Sequence, residues 1–162
     1  MGVTVDITVE AGDWEKISGA ETAIQNALHA VSEDFQSLKA EYSVLLTDDA
    51  HMRVLNRNWR KMDKPTNVLS FPAPEEAKSA QGLLGDIVLS YETVIREAAG
   101  ENKQPLHHIT HLTIHGALHL LGLDHQDDTE AETMESRERE ILARLGIPDP
   151  YASDGRELRE PA

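Results

Sequence analysis

The chain has 162 residues, a mean hydropathy of −0.44 and a formal net charge of −14 at pH 7. This length fits a single domain, and an apolar fraction of 40% can form an ordinary core, which excludes an intrinsically disordered chain. The absence of cysteine excludes disulfides, thiolate metal ligands and a cysteine nucleophile, so any transition metal must be held by His, Asp or Glu.

The first half of the chain alternates between strand and helix patterns. Apolar residues alternate with polar ones from Val3 to Val9, which predicts a half-buried strand. Ser18 and Glu21 have the spacing of a capping box and predict the start of a helix. Strands are predicted over 41–46, 67–71 and 85–89, and Thr47 or Asp48 is expected to cap a helix that carries Met52, Leu55 and Trp59.

The second half is predominantly helical. A helix is predicted from Ser90 to Ala99, with Gly100 as its stop, and another from Pro105 to about Leu121, ended by Gly122. The second of these is apolar on nearly all sides and is therefore expected to be central and buried. Thr129 and Glu132 form another possible capping box, and the following helix is expected to end before Gly146 and Pro148.

These patterns predict an α/β (α+β) fold in one domain over residues 1–148. A small mixed sheet of about four strands packs with about five helices, and the His-rich helix lies at the centre. Residues 149–162 are polar and are expected to form a C-terminal tail.

Charge and hydropathy also limit the partners. A net charge of −14 opposes broad binding to nucleic acid, and we expect no DNA partner. A local basic segment nevertheless lies within residues 53–64, whose five cations are Arg53, Arg57, Arg60, Lys61 and Lys64. The N-terminus lacks the basic region of a signal peptide, and the longest stretch free of Asp, Glu, Lys and Arg contains five histidines. We therefore expect a cytoplasmic protein without a membrane partner.

The strongest motif is a trio of histidines with a glycine between the second and third. His115 and His119 are four residues apart, so their imidazoles lie on one helix face within reach of one cation. Gly122 can adopt the left-handed conformation that would return the chain and bring His125 to the same cation. Three histidine ligands leave one position open on a tetrahedral cation, as in catalytic zinc sites.

The same spacing occurs in the metzincin protease signature H-E-x-x-H-x-x-G-x-x-H. The residue after the first histidine is Gly116 here, where the protease carries its glutamate base. The motif therefore favours a metal site and argues against a protease. No other residue of the sequence stands out as a general base.

Other polar residues near the motif have two interpretations each. His111 and His107 could support the metal ligands, or they could simply be polar positions on a cleft-facing helix surface. Asp124 could orient an imidazole, although a turn residue bonded to its own backbone is the simpler interpretation. Asn67 and Ser70 could hydrogen-bond a substrate, although packing at a strand end is the simpler interpretation.

The histidine motif, together with two other blocks, resembles the YbeY family of bacterial rRNA-maturation endoribonucleases. The first block is His115-Gly-x-Leu-His119-Leu-x-Gly122-x-Asp124-His125. The second joins Leu55-Asn56 and Arg60 to the run from Asp63 to Pro72, and the third is Leu84-Gly-Asp-Ile-Val-Leu89. Together the three blocks cover roughly residues 40–146 in the order found in the family.

The resemblance implies a metal-dependent endoribonuclease that cleaves single-stranded RNA in 16S rRNA 3′-end maturation and ribosome quality control. It implies one zinc ion held by His115, His119 and His125, and a phosphate-binding role for Arg60. The implied partners are single-stranded rRNA and the small ribosomal subunit or its associated proteins. Two alternatives stay open at this point, which are a non-catalytic, zinc-stabilised ribosome-biogenesis factor and a metallohydrolase that acts on a substrate other than RNA.

Overall fold

The computed structural model describes residues 2–35, 39–124 and 126–151. The described residues form four strands, which are β1 (Gly2–Val9), β2 (Lys39–Thr47), β3 (Val68–Pro72) and β4 (Leu83–Ser90). They also form six α-helices, which are α1 (Ala20–Asp34), α2 (Asp49–Arg60), α3 (Glu75–Gln81), α4 (Tyr91–Gly100), α5 (Pro105–Leu120) and α6 (Asp128–Arg144). None of these helices is both long and apolar enough to cross a membrane. The predicted α/β class, the small mixed sheet and the central His-rich helix are confirmed.

The four strands form one sheet in the order β1-β2-β4-β3. β1, β2 and β4 are parallel, whereas β3 pairs antiparallel with β4 and lies at the edge. A parallel pair needs a crossover connection, which α1 provides between β1 and β2. The antiparallel edge strand makes the sheet mixed.

The core lies mainly on one face of the sheet, where α1 and α5 pack. Alternate residues of β2 point into it, such as Tyr42, Val44 and Leu46, because successive side chains of a strand point to opposite faces. On the other face α2 covers a smaller cluster of Met52, Leu69 and Val88. The histidine helix and α2 therefore lie on opposite faces of the sheet.

Of the three predicted helix caps, one is confirmed and two are wrong. Asp48 caps α2 as predicted, since its carboxylate accepts a hydrogen bond from the His51 backbone N–H at 3.0 Å. The capping box at Ser18 is wrong, because the cap of α1 is Gly19 in the left-handed conformation, with no side-chain bond. The box at Thr129 is also wrong, because Asp127 caps α6 and accepts from the Glu130 N–H at 2.8 Å.

Two further differences concern glycine and proline. Gly100 is the last residue of α4 rather than its stop, and the left-handed residue after the helix is Asn102, with φ 56°. Helix α3 was not predicted from the sequence. Pro74 is the N-cap of that short helix, a position that needs no backbone N–H from it.

Gly85, which belongs to the block Leu84–Leu89 of the family resemblance, has a structural role. Its φ is +143°, and a Cβ there would lie 2.3 Å from the carbonyl oxygen of Phe71 and 2.9 Å from a methyl carbon of Leu120. The β4 backbone at this position therefore approaches both the edge strand and α5 more closely than a side chain permits. Only glycine fits that approach without moving β3.

We expect Gly85→Ala to destabilise the fold by about 3 kcal/mol, because it adds both backbone strain and a clash. For a chain of this size the thermal midpoint should fall by about 10 °C. Thermal unfolding followed by circular dichroism measures this shift. Gly100→Ala is the matched control, since nothing lies within 4 Å of a Cβ there, and its midpoint should stay near wild type. Equal midpoints for Gly85→Ala and wild type would contradict the packing argument.

Candidate metal centre

The predicted histidine pair lies on α5, near the end of the most buried helix of the fold. Most residues of α5 are buried, but His115 and His119 are only partly so, and the His115 side chain is 21% exposed. Their ring centroids are 4.8 Å apart, and the ring planes are inclined by 80°. The four-residue spacing therefore does bring two imidazoles together on one face, as the sequence predicts.

A buried carboxylate from α6 contacts this pair. The side chain of Glu138 is fully buried, and its Oε2 lies 2.6 Å from Nδ1 of His115. Its Oε1 lies 2.7 Å from Nε2 of His111 and accepts a hydrogen bond from the Tyr151 hydroxyl at 2.5 Å. One carboxylate thus joins three side chains from α5 and from the residues after α6.

The charge state of Glu138 follows from these contacts. Burial alone would raise the pKa of its carboxyl, but hydrogen bonds from His111 and His115 outweigh burial and hold that pKa well below its usual range. Burial conversely lowers the pKa of His111, which keeps its ring largely neutral near pH 7 despite the hydrogen bond to Glu138. Glu138 is therefore an ionised acceptor with both oxygens engaged, and it orients the histidines rather than acting as a free base.

This arrangement fits a divalent cation. Because the ionised carboxylate accepts from Nδ1–H of His115, the lone pair of that imidazole is on Nε2. A histidine that ligates a metal through one nitrogen usually donates the other N–H to a carboxylate or carbonyl. His115 and His119 together supply two imidazole nitrogens, donors that suit zinc and similar cations.

The turn after α5 is also formed as predicted. Gly122 has φ +102°, its N–H donates to the His119 carbonyl at 3.0 Å, and the Leu123 N–H donates to the Leu118 carbonyl at 3.0 Å. This pair of bonds is a Schellman motif, which reverses the chain. His125, the predicted third ligand, lies outside the described residues. Within 2–35, 39–124 and 126–151, no group of three or more His, Asp and Glu side chains is arranged to hold a metal.

The close packing of α5 on the sheet favours glycine at position 116. A Cβ at this position would lie 3.1 Å from the Ser70 hydroxyl oxygen and 3.1 Å from a methyl carbon of Ile87. The residue after His115 therefore faces the sheet at close range. Even a Cβ there would require these side chains to shift by a few tenths of an ångström, and the longer side chain of a glutamate would need more space still.

The residues after α6 contribute to the site. The Tyr151 ring packs edge-on to His111, with centroids 5.3 Å apart, and the Arg139 guanidinium carbon lies 5.4 Å from the Tyr151 centroid. Arg139 also pairs with Asp149 at 3.3 Å. Residues 149–162 are predicted to form a polar C-terminal tail; of these, residues 149–151 are described, and Asp149 and Tyr151 contact side chains of α6.

Neither Glu138 nor Tyr151 was predicted from the sequence. Glu138 lies among several other acidic residues of α6, and such a composition is typical of a solvent-exposed helix face. A signal was present, however, because residues 134, 138, 141 and 142 share the apolar face of that helix, and all four are buried. A carboxylate on an apolar face needs partners, and the histidines of α5 are the partners.

Asn67 and Ser70 have structural roles. The Asn67 amide donates to Glu97 at 3.0 Å, and its carbonyl oxygen accepts from the Val68 N–H at 2.6 Å. The Ser70 hydroxyl donates to the Gly116 carbonyl at 2.9 Å and so ties the edge strand to α5 beside His115. Both residues therefore pack the strand end, which is the simpler of their two interpretations.

Arg60 lies at the last position of α2 and is exposed. Arg53 makes a two-point contact with Asp63, at 2.8 and 3.0 Å, and Arg57 approaches the same carboxylate at 3.6 Å. Among the described residues Arg60, Lys61 and Lys64 form no ion pair. The basic segment thus divides into two paired arginines and three cations that face solvent.

The chain was compared with known proteins. The family model described as Endoribonuclease YbeY matches residues 7–146. The chain belongs to the YbeY endoribonuclease family. A protein named Endoribonuclease YbeY from Bradyrhizobium sp. is 51% identical over 156 residues, which are 92% of this chain and 92% of that protein. A protein of the same name from Azorhizobium caulinodans is 53% identical over 152 residues, covering 91% of this chain and 96% of that protein.

The fold also has a counterpart among solved structures. The solution structure of TM1509 from Thermotoga maritima matches with a TM-score of 0.57 and 24% sequence identity. The match covers 93% of this chain and 97% of that one. At this identity the likeness concerns the fold alone, and it agrees with the mixed sheet described above.

Proposed function

We propose that this chain is a metal-dependent endoribonuclease, a hydrolase of phosphoester bonds that cleaves single-stranded rRNA. Its role is maturation of the 16S rRNA 3′ end and ribosome quality control in the cytoplasm. The observation that carries the proposal is the pair His115 and His119, with His115 oriented by buried Glu138, in a chain of the YbeY family.

We assign one zinc ion per chain to His115, His119 and His125. The first two supply imidazole nitrogens from one helix face, and the third follows the Schellman turn at Gly122. When bound, such a cation supplies Lewis-acid activation of water and of a phosphoryl oxygen. The protein's own part is to hold the imidazoles in one tautomer and orientation through Glu138.

Arg60 is assigned to the phosphate. Its guanidinium is exposed and lies outside the Arg53, Arg57 and Asp63 cluster, so it is available for a ligand. A planar guanidinium binds two phosphate oxygens at once and stabilises the charge that develops during cleavage. The loop from residue 61 to 67 connects Arg60 directly to β3, the strand that Ser70 ties to the histidine helix.

The charge of the chain supports delivery of the RNA by a partner. With a net charge of −14 the chain engages only a few phosphates, so its own affinity for RNA is low. We assign delivery of the substrate to the small ribosomal subunit or its associated proteins. DNA and membranes are not expected partners.

Arg60→Ala should reduce RNA cleavage about 100-fold while the fold and the bound metal stay unchanged, because one charge-stabilising contact is lost. Arg60→Lys should recover only part of the rate, since an ammonium does not form the two-point contact. The measurement is the initial rate on a single-stranded RNA, with metal content and thermal midpoint recorded for each variant. Arg57→Ala is the control, because that arginine is already held near Asp63. A wild-type rate for Arg60→Ala would leave Arg60 as an ordinary surface residue.

The function as a whole is tested by initial rates on three substrates. We expect cleavage of single-stranded RNA and slow cleavage of the matched duplex, because a flexible strand can bend a phosphate into a recessed site while an A-form rod cannot. Casein should remain intact. Equal rates on duplex and single strand, or casein cleavage that tracks the metal, would overturn the proposal.

A further inference from the structure

Trp59 is a large apolar side chain that the fold leaves in solvent. It is 68% exposed, whereas Trp14, the other tryptophan of the chain, is 3% exposed. Tryptophan is among the residues that proteins bury most on average, so this exposure requires an explanation. Met62, three residues later in the chain, is also exposed, at 36%.

Trp59 is nevertheless held in place. The Phe71 ring packs edge-on against it, with centroids 5.7 Å apart and planes inclined by 67°. Phe71 is itself half-buried and packs on the cluster of Met52, Leu69 and Val88. An edge-on contact from one side leaves much of the indole surface free for another ring.

Three cations that face solvent follow Trp59 closely in the chain. Arg60 and Lys61 follow it directly, and Lys64 lies in the same loop. All three are exposed and without an ion pair in the described part of the chain, although the chain as a whole carries a charge of −14. Exposed aromatic surface beside unpaired cations complements a polyanion that carries flat rings, which is the chemistry of a single-stranded nucleic acid.

The edge strand β3 contacts both Trp59 and the histidine helix α5. Phe71 of β3 contacts Trp59 on one face of the sheet, while its neighbour Ser70 bonds to Gly116 of α5 on the other. β3 is the edge strand of the sheet, so an RNA strand that passes over this edge can touch both faces of the sheet. The surface around Trp59 and the residue next to His115 are thus separated by a single edge strand.

We propose that Trp59, supported by Phe71, is a stacking platform for an unpaired base of the RNA substrate. The inference rests on the proposed function and deepens it. Arg60, Lys61 and Lys64 contact the phosphates on either side of the stacked nucleotide. Bases of a duplex are already stacked on one another and are unavailable to the indole, so the platform contributes to selection of single strands.

Tryptophan fluorescence gives a direct test, because Trp14 is buried and only Trp59 is exposed. The probes are a single-stranded oligouridylate of 12 nucleotides and an abasic ribose-phosphate strand of the same length, with probe integrity checked on a gel. We expect the oligouridylate to quench the emission of the metal-loaded wild type. In Trp59→Phe the remaining emission, from Trp14, should not respond, although binding measured by anisotropy of a labelled probe is largely kept.

Trp59→Ala should weaken oligouridylate binding about 5- to 150-fold, the usual range for loss of one base stacked on an aromatic ring. The abasic strand should bind Trp59→Ala and wild type equally. Val54→Ala is the control, since Val54 is an exposed apolar residue of the same helix, and its affinity should match wild type. Equal affinity of Trp59→Ala and wild type for oligouridylate, or an equal loss with the abasic strand, would overturn the platform. Either result leaves the proposed function intact if the wild type still cleaves single-stranded RNA, whereas a wild type that cleaves no RNA refutes the function itself.

Discussion

His119→Ala is expected to remove the bound cation and RNA cleavage together. The two imidazoles of α5 have centroids 4.8 Å apart, and loss of one leaves His115 as the only ligand that the helix supplies. A cation contributes several kcal/mol of charge stabilisation to the cleavage step, so the rate should fall by about 1,000-fold or more. Elemental analysis gives the metal per chain, and initial rates on single-stranded RNA give the activity.

The control for this variant is another histidine. His29 lies on α1, is exposed and is remote in sequence from the motif. His29→Ala should keep both the metal and the rate. If His119→Ala retained a full complement of metal and the wild-type rate, the histidine pair would not be the centre.

Glu138→Gln is the second large effect that we expect. The carboxylate accepts hydrogen bonds from His111, His115 and Tyr151, all between 2.5 and 2.7 Å. An amide offers one acceptor oxygen and adds two donors, so at least one N–H or O–H donor among His111, His115 and Tyr151 loses its partner. The unfolding free energy should fall by about 1–3 kcal/mol. Zinc affinity should fall by about 10- to 100-fold, because His115 loses the group that fixes its tautomer.

Zinc affinity is measured by competition with a chelator, and stability by denaturant unfolding of the metal-free protein. Glu140→Gln is the matched control, because Glu140 is an exposed acid on the same helix. Tyr151→Phe removes one of the three donors and should have a smaller effect of the same sign. Zinc affinity of Glu138→Gln equal to that of wild type would show that the carboxylate serves only the fold.

Much of this fold follows from local patterns. The alternation from Val3 to Val9 predicts β1 because one face of that strand packs on the core. Pro105 and Gly122 delimit the central helix because a fixed φ suits a first turn and a positive φ suits a reversal. The repeat of apolar residues and the positions of proline and glycine depend only on neighbouring residues, so the sequence alone is enough to recognise them.

The features that were not predicted from the sequence depend mainly on contacts between residues far apart in the chain. Gly85 is needed because β3 and α5 approach it from two directions, and neither approach is a property of the residues beside it. Glu138 meets His115 across 23 positions of the chain, and its role depends on how α6 packs on α5. The cap of α1 depends on Gly19 rather than on Ser18, since the left-handed turn leaves the serine outside the helix.

The histidine motif lies between these two cases. Its spacing predicts that two rings meet, which the helix geometry alone ensures, and the structure confirms this. The predicted third ligand, His125, follows a turn whose hydrogen bonds are formed as predicted up to Leu123. Its participation remains a prediction that metal content can test.

The most direct measurement is a titration of metal-free protein with zinc while cleavage of a single-stranded RNA is followed. The proposed function predicts that the rate rises in proportion to added zinc and reaches its plateau near one ion per chain, with the matched duplex cleaved slowly throughout. Full activity of the metal-free protein, or a zinc-loaded protein that leaves single-stranded RNA intact, would contradict it.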